Sequence, residues 1–408
     1  MRILVFLLFS SLFAQSSVLS FGGFGEPQYY QNPTNIAVGQ SELFSTTINS
    51  GSTIALATIW QNRFTNLSIS NHFQNLTVGN DKSIFANGID LLSVSFPIGE
   101  TKAFQISLNP QNWTQYSINE LNNPHVVEYD GINLSYKSHY YGRGGFSNFG
   151  VTWSQKINEY LSGGIRLNNY FGNKFQSDST FTYFISLNAE GEEVLTPNTL
   201  TVTNSTYHYQ GYGLKTDFIL NVKNLDIGIS YEHIGPFTID QKKYYSVGLS
   251  QSQNIIQKIS NLSNNVIFGM KYQYSDKLGI LSELKLKKWN SLDENYLILK
   301  TQNYDEQRIS LGAFYHFLNQ GTGFFNSITF RSGFYYKQFK ILESDFIIND
   351  YGVTFGTGFN YNKNANNLNL SFVFGNRKLD IFGIQNEKYF DFVLGIEVGD
   401  KWFLRKNK

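Results

Sequence analysis

The sequence predicts an all-β chain, an antiparallel transmembrane β-barrel of about 14 strands. Three observations carry this. Apolar and polar residues alternate with period two in stretch after stretch, the pattern of strands with unlike faces. Aromatic residues make up 16% of the 408, with 36 Phe and 26 Tyr, as membrane-interface belts require. Short turns alternate with long polar connections, the asymmetry of barrels whose long loops face outwards.

In chain order, residues 1–14 read as a signal peptide. Met1-Arg2 is a positive start, ILVFLLFSSLF (3–13) a short apolar core, and Ala14 a small residue before the cut. That core falls short of the ~20 residues a spanning helix needs. Strand-like alternation then begins with TIALATIW (53–60) and FTNLSISNH (64–72), and continues through 89–97 and 102–109. Residues 131–157, GINLSYKSHYYGRGGFSNFGVTWSQKI, read as two strands, Ile132–Lys137 and Asn148–Ser154. The Gly142–Gly145 break between them has hairpin character. Further strands fall at 160–168, 206–221, 225–233, 265–274, 278–287, 308–317, 325–337, 351–361, 367–375 and 388–398. Residues 172–205, 234–263 and 288–305 read as long polar connections. The apolar insert FTYFISL (181–187) fits a strand extension or an exposed capture surface.

Each strand has two faces. Ile132, Leu134, Tyr136, Ile227, Ile229, Phe355, Phe372, Phe390 and Leu394 fall on the apolar one, expected against lipid. Lys137, Arg166, Lys215, Asp217, Glu283, Lys285, Arg331 and Glu397 fall on the other, expected in the lumen, where their mixed signs can pair. Trp153, Tyr335, Tyr336, Trp402 and Phe403 are the candidate interface girdle. The partners expected from this reading are outer-membrane lipid and a hydrophobic small molecule, with protein partners reached through the long loops.

The stretch EPQYYQNPTNIA (26–37) resembles the N-terminal signature of the FadL/TodX hydrophobic-compound channels and the related PorV-type barrels. Asn32, Pro33 and Ala37 match. Thr34 stands where Ala is usual, and Asn35 replaces Gly. LLSVSFPIGETKAFQISLNP (91–110) and LGIEVGDKWF (394–403) resemble early and last strands of the same barrels. The resemblance implies a hatch of residues 15–50 inside the lumen of a barrel of residues 51–408, with Phe21, Phe24, Tyr29 and Tyr30 packed against the wall. It also implies an integral protein of a Gram-negative-type outer membrane with a periplasmic N-terminus. The implied function is passive uptake of hydrophobic molecules such as long-chain fatty acids. The alternatives are a PorV-like accessory barrel of a protein secretion system and a structural or adhesive barrel.

No enzyme is expected, and no cofactor or metal. The chain has no Cys, and its six His are dispersed without ligand spacing. A formal net charge of +1 gives no footprint for nucleic acid. A carboxylate ligand would want a cation at the end of an apolar pocket, and Arg166 and Arg331 are the candidate lumen contacts.

Overall fold

Alternation along each strand closes the chain into a barrel. The computed structural model describes residues 20, 24–27, 32–47, 51–78, 82–119, 125–129, 132–187, 193–246, 252–289, 304–318, 325–341, 347–361, 365–378 and 386–401. The expected signal peptide, Phe21, Tyr29, Tyr30, Trp402 and Phe403 lie outside these. Described first are a two-residue strand β1 (Glu26–Pro27), a short helix α1 (Pro33–Ile36) and a 3-10 helix (Leu56–Gln61).

Sixteen strands follow: β2 (Thr65–Val78), β3 (Lys82–Ile98), β4 (Lys102–Asn119), β5 (His125–Tyr129), β6 (Ile132–Lys156), β7 (Leu161–Leu187), β8 (Glu193–Val222) and β9 (Leu225–Tyr245). Then come β10 (Ser252–Ile259), β11 (Ser263–Gln273), β12 (Leu278–Trp289), β13 (Tyr304–Leu318), β14 (Phe325–Ile341), β15 (Ile347–Tyr361), β16 (Asn366–Lys378) and β17 (Glu387–Asp400). All pair antiparallel with their neighbours, and β17 pairs with β2 over Glu387–Asp400 and Thr65–Val78, which closes the sheet. Setting aside β1, β5 and β10, fourteen strands form the wall. Closure removes the unpaired edges that a bilayer cannot solvate.

The wall is uneven in height. β12, β16, β2 and β17 have 12, 13, 14 and 14 residues, whereas β6, β7 and β8 have 25, 27 and 30. A tilted crossing takes ~9–11 residues, so the second group rises well clear of the bilayer. The stretches 172–187 and 193–205, which read as polar connection, are the upper halves of these strands. FTYFISL is the top of β7.

Further expectations change. TIALATIW is not the first strand: Leu56–Ile59 are buried in the 3-10 helix inside the barrel, and the wall begins at Thr65. An alternation of Ile54 and Leu56 with small Ala55 and Ala57 over so short a stretch fits a buried helix as well as a strand. Gly142–Gly145 does not turn but lies within β6, paired with Trp113–Tyr116 of β4 and ending just short of the irregularity of β4 between Pro110 and Asn112. Finally, Lys137 shares the outward face of β6 with Trp153, leaving Leu134 and Tyr136 on the inward face. Lys137 stands 5.5 Å over the Tyr183 ring, and Ser138, one residue on, is buried against Thr180. The upper half of β6 stands outside lipid, so polarity there no longer reports which side is the lumen.

Lower down the faces fall as alternation predicts. Phe149, Trp153, Ile165, Leu167, Phe218, Leu220, Ile229, Leu284, Leu311, Phe330 and Phe355 are exposed outward, and their neighbours Thr152, Ser154, Arg166, Lys215, Asp217, Ser230, Glu283, Ser310, Arg331 and Thr354 are buried inward. An outer surface this apolar is a lipid face. Tyr335 departs from its girdle assignment. It is fully buried in the lumen, with its hydroxyl hydrogen-bonded to that of Tyr389.

Candidate functional site

A fourteen-stranded lumen is too wide for wall side chains to fill. Residues 32–47 and 51–62 fill it here. Asn32-Pro33-Thr34 starts this hatch through local chemistry. Asn32 is the N-cap of α1, its Oδ1 accepting from Thr34 N at 3.0 Å and Thr34 Oγ1 at 2.9 Å, and Pro33 takes the first helical position. Asn32 Nδ2 also donates to Thr53 Oγ1, tying the two ends of the hatch together. Helix α1 leans on β15, β16 and β17, and the 3-10 helix on β3, β4, β6, β7 and β8. Between them Val38, Leu43 and Phe44 pack on Ile219, Ile267, Leu281 and Phe314 of the wall. The hatch thus meets the wall on nearly every side.

Charge fixes it there. The Glu42 carboxylate accepts from Lys285 Nζ at 2.8 Å and Arg308 Nη2 at 2.9 Å, with Lys215 Nζ at 3.8 Å, all buried. Burial alone would raise this carboxyl, but Lys285, Arg308 and Lys215 together hold it well below the usual carboxylate range. Glu283 returns the contact from the wall, accepting from Ser41 Oγ and from the backbone N–H of Glu42 (2.7 Å) and Leu43 (2.8 Å). Asp217 accepts from Leu56 N at 2.8 Å, while Ser154 Oγ donates to Leu56 O at 2.6 Å. Arg166 donates to Thr152 Oγ1 (2.7 Å), Gln105 Oε1 (2.8 Å) and Thr53 O (3.5 Å). Arg331 donates to Thr46 Oγ1 (2.8 Å) and Thr46 O (3.1 Å). Both arginines are where the sequence placed them, in the lumen, and both grip the hatch.

A second feature was not legible in the sequence. β3 pairs with β4 only over Leu92–Ile98 and Lys102–Leu108. Beyond Leu92 and Leu108 their ladder stops, although β3 stays paired to β2 back to Lys82 and β4 to β6 up to Asn119. The wall is split there, and Phe85, Ile89, Leu92, Leu108 and Trp113 expose apolar surface around the split. The N-terminal strap lies along the free edge of β4. Glu26 and Pro27 pair with Trp113 and Asn112, and Ser20 Oγ donates to Gln115 O. Gly25 is required there: its φ is +87°, and a Cβ would meet Trp113 O at 2.5 Å.

The strap carries Phe24 into an aromatic cage. Its ring stacks on Trp289 (centroids 5.3 Å, 22°) and meets Phe146 at 5.7 Å, Tyr209 at 5.7 Å and Phe237 at 6.0 Å. Tyr170, Tyr207, Ile234, Ile239 and Leu262 complete the cluster. Glu26, two residues on, reaches across the lumen to Arg377 Nη2 at 3.0 Å, a guanidinium that also holds Glu387 (2.9 Å) and Asp350 (3.4 Å). Burial raises the Glu26 carboxyl against the pull of Arg377, and Glu387 and Asp350 add to the rise.

The sign follows directly. A carboxyl raised in the docked state gives its full stabilisation below the unfolded value and loses it as pH rises through the raised one. The strap is expected to dock more firmly in mild acid than at neutral or alkaline pH. Glu26→Gln, which keeps an acceptor for Arg377, is expected to flatten that dependence. Fluorine NMR of fluorotryptophan-labelled protein reads the docked fraction at Trp289, and a wild-type profile as flat as that of the variant would refute the assignment.

The whole chain, residues 1–408, matches the family model described as BamG. The chain belongs to the BamG family. No curated protein is similar enough to count as a match. Among solved structures, this BamG-family barrel is similar to a Pseudomonas aeruginosa FadL homologue at 10% identity and TM-score 0.59, covering 92% of this chain and 98% of the other. It is similar to the P. putida toluene transporter TodX at 12% identity and TM-score 0.56, covering 91% and 99%. The third is the CymD monoaromatic hydrocarbon channel, at 12% identity and TM-score 0.54, covering 95% and 99%. At such identities the likeness is one of fold, a fourteen-stranded closed barrel.

Proposed function

We propose that the protein is a passive outer-membrane route for small hydrophobic molecules. The observation that carries this reading is the aromatic cage behind a split in a lipid-facing wall, filled by the chain's own Phe24. An apolar solute in the outer leaflet meets an apolar rim, passes between β3 and β4, and trades its lipid contacts for ring contacts in the cage. Release of the strap supplies the vacancy, and the solute's gradient supplies the direction. The barrels it is similar to in fold include a toluene transporter, a monoaromatic hydrocarbon channel and a FadL homologue. Monoaromatic hydrocarbons and long-chain fatty acids are therefore the first substrates to test.

The test is uptake of labelled toluene and a labelled long-chain fatty acid by cells lacking their own transporter, with heat-modifiable gel migration confirming the folded barrel. Wild-type protein is expected to raise uptake of at least one compound. Trp289→Ala removes a ring contact worth ~1 kcal/mol or more beyond its area, and should weaken capture roughly tenfold. A folded barrel that passes neither compound would end this reading.

A second reading has its own observation. The lumen is filled and the hatch ion-paired to the wall, as suits an accessory barrel that binds a protein, for example in a secretion machine, and transports nothing. No uptake by a folded barrel, joined to a stable protein complex, would favour it.

A further inference from the structure

The cage around Phe24 is shaped for a ring. Phe24 stacks on Trp289 at 22° and meets Phe146 and Phe237 edge-on, at 79° and 88°. Stacked and edge-to-face contacts reward a flat π-system, and an alkyl chain of the same area collects neither. Tyr209, also against Phe24, is buried with its hydroxyl unpartnered among the described residues. A pocket of rings that holds a polar atom in reserve suits an aromatic ligand with a polar substituent.

The charge for that substituent stands one ring away. Lys287, two residues before Trp289 on β12, faces the lumen and holds its Nζ 4.5 Å from the centre of the same indole. The lumen cations nearer the hatch are engaged: Lys285 and Arg308 by Glu42, Arg166 by Gln105, Arg331 by Thr46. Lys287 is not. It is half-buried, and among the described residues its ammonium rests on Trp289 with no hydrogen bond and no ion pair. Glu232 and Glu306 act on it only at longer range, and Glu232 already accepts from Tyr170 Oη at 3.1 Å and from Asn168 and Asn265 Nδ2 at 3.5 Å.

We infer that the site takes an aryl-alkanoate, its ring replacing Phe24 in the cage and its carboxylate held by Lys287. This rests on the cage being a ligand site, as proposed above, and narrows its chemistry. Phe24 and Lys287 touch one indole, so an arm of a few carbons joins the two positions. A hydrocarbon such as toluene fills the cage but leaves the ammonium without a counter-ion. A fatty acid satisfies the ammonium but forgoes the ring contacts. Lys287 is then the residue that sets specificity.

The test uses the full-length protein in lipid discs, labelled with fluorotryptophan and checked for heat-modifiable migration. It is titrated with 3-phenylpropanoate, its neutral counterpart 3-phenylpropan-1-ol, decanoate and toluene, each read at the Trp289 resonance. The aryl acid is expected to bind roughly tenfold more tightly than the alcohol, the factor one hydrogen bond to a charged group supplies, and more tightly than decanoate. Lys287→Met is expected to bring acid and alcohol level, and Lys287→Arg to restore the preference. Equal binding of acid and alcohol by the wild type would overturn the inference while leaving the cage a ligand site. So would a preference that survives Lys287→Met, or decanoate that binds as tightly as the aryl acid. A resonance that none of the four compounds moves would remove the cage reading as well.

Discussion

Glu42→Ala is expected to release the hatch while the barrel stays closed. Lys285, Arg308 and Lys215 converge on this carboxylate in a buried site. Removing one partner of a buried ion pair costs ~3–5 kcal/mol, because the charge left behind has lost water as well as its counter-ion. Here one deletion strips a shared counter-ion from three cations. The wall does not depend on it, since its fourteen strands are joined to one another by their own ladders and the closing β17–β2 ladder runs over fourteen residue pairs. The measurement is protease cleavage within residues 32–62, read beside heat-modifiable migration. Fast cleavage in a heat-modifiable barrel is expected, and a hatch as resistant as wild type would sink the claim. If Glu42→Ala does not assemble, Glu42→Leu with Lys285→Leu separates charge from volume, and should dock better than either single change.

The pH behaviour of the same site runs opposite to that of the strap. A carboxyl held below its unfolded value stabilises the hatch above the ordinary carboxylate range, and loses that effect only as pH falls towards the lowered value. Mild acid should therefore leave the hatch docked while it tightens the strap. The two segments of the N-terminal region are held by chemically separate latches.

How much of this could be read from sequence depends on what each residue's neighbours are. Inside the bilayer, lipid and lumen make opposite demands on successive residues, so Phe218 and Asp217, or Phe330 and Arg331, declare their faces. Above the bilayer that contrast vanishes, which is why the upper halves of β7 and β8 read as polar connection and Lys137 was placed on the wrong face. TIALATIW reads as a strand because Ile54 and Leu56 alternate with Ala55 and Ala57, yet alanines this small are buried as readily as their neighbours, so the alternation carries no second face. The hatch arginines were visible as lumen cations, but their acceptors lie 113 residues away for Arg166 with Thr53 and 285 for Arg331 with Thr46. Glu42 gave no local signal at all. A lone carboxylate becomes an anchor only when three strands bring cations to it. The wall split was equally hidden, since it is the absence of a ladder between two strands that each pair well on their other side.

Phe24→Ala should turn the strap from a plug into a tether. Truncating a buried Phe costs ~3–5 kcal/mol, and this ring provides the strap's only described contact with Trp289, Phe146 and Phe237. Among the described contacts there remain a two-residue ladder, the Ser20 and Asn112 hydrogen bonds and the Glu26–Arg377 pair. If the cage is a ligand site that Phe24 occupies, every solute must first displace that ring, and its apparent affinity is reduced by the fraction of time the cage is free. A strap docked about 99% of the time imposes a penalty of roughly a hundredfold. Phe24→Ala is then expected to tighten binding of toluene by up to that factor while shifting the Trp289 fluorine resonance to its undocked position. Phe24→Trp, which refills the cage, should weaken binding below wild type. The competing account, in which the ring is only packing, predicts the reverse for Phe24→Ala: a less stable barrel, a collapsed cage and no gain in affinity. Titrating toluene against the Trp289 signal in the two variants decides between them, because occupancy and stability then move in opposite directions.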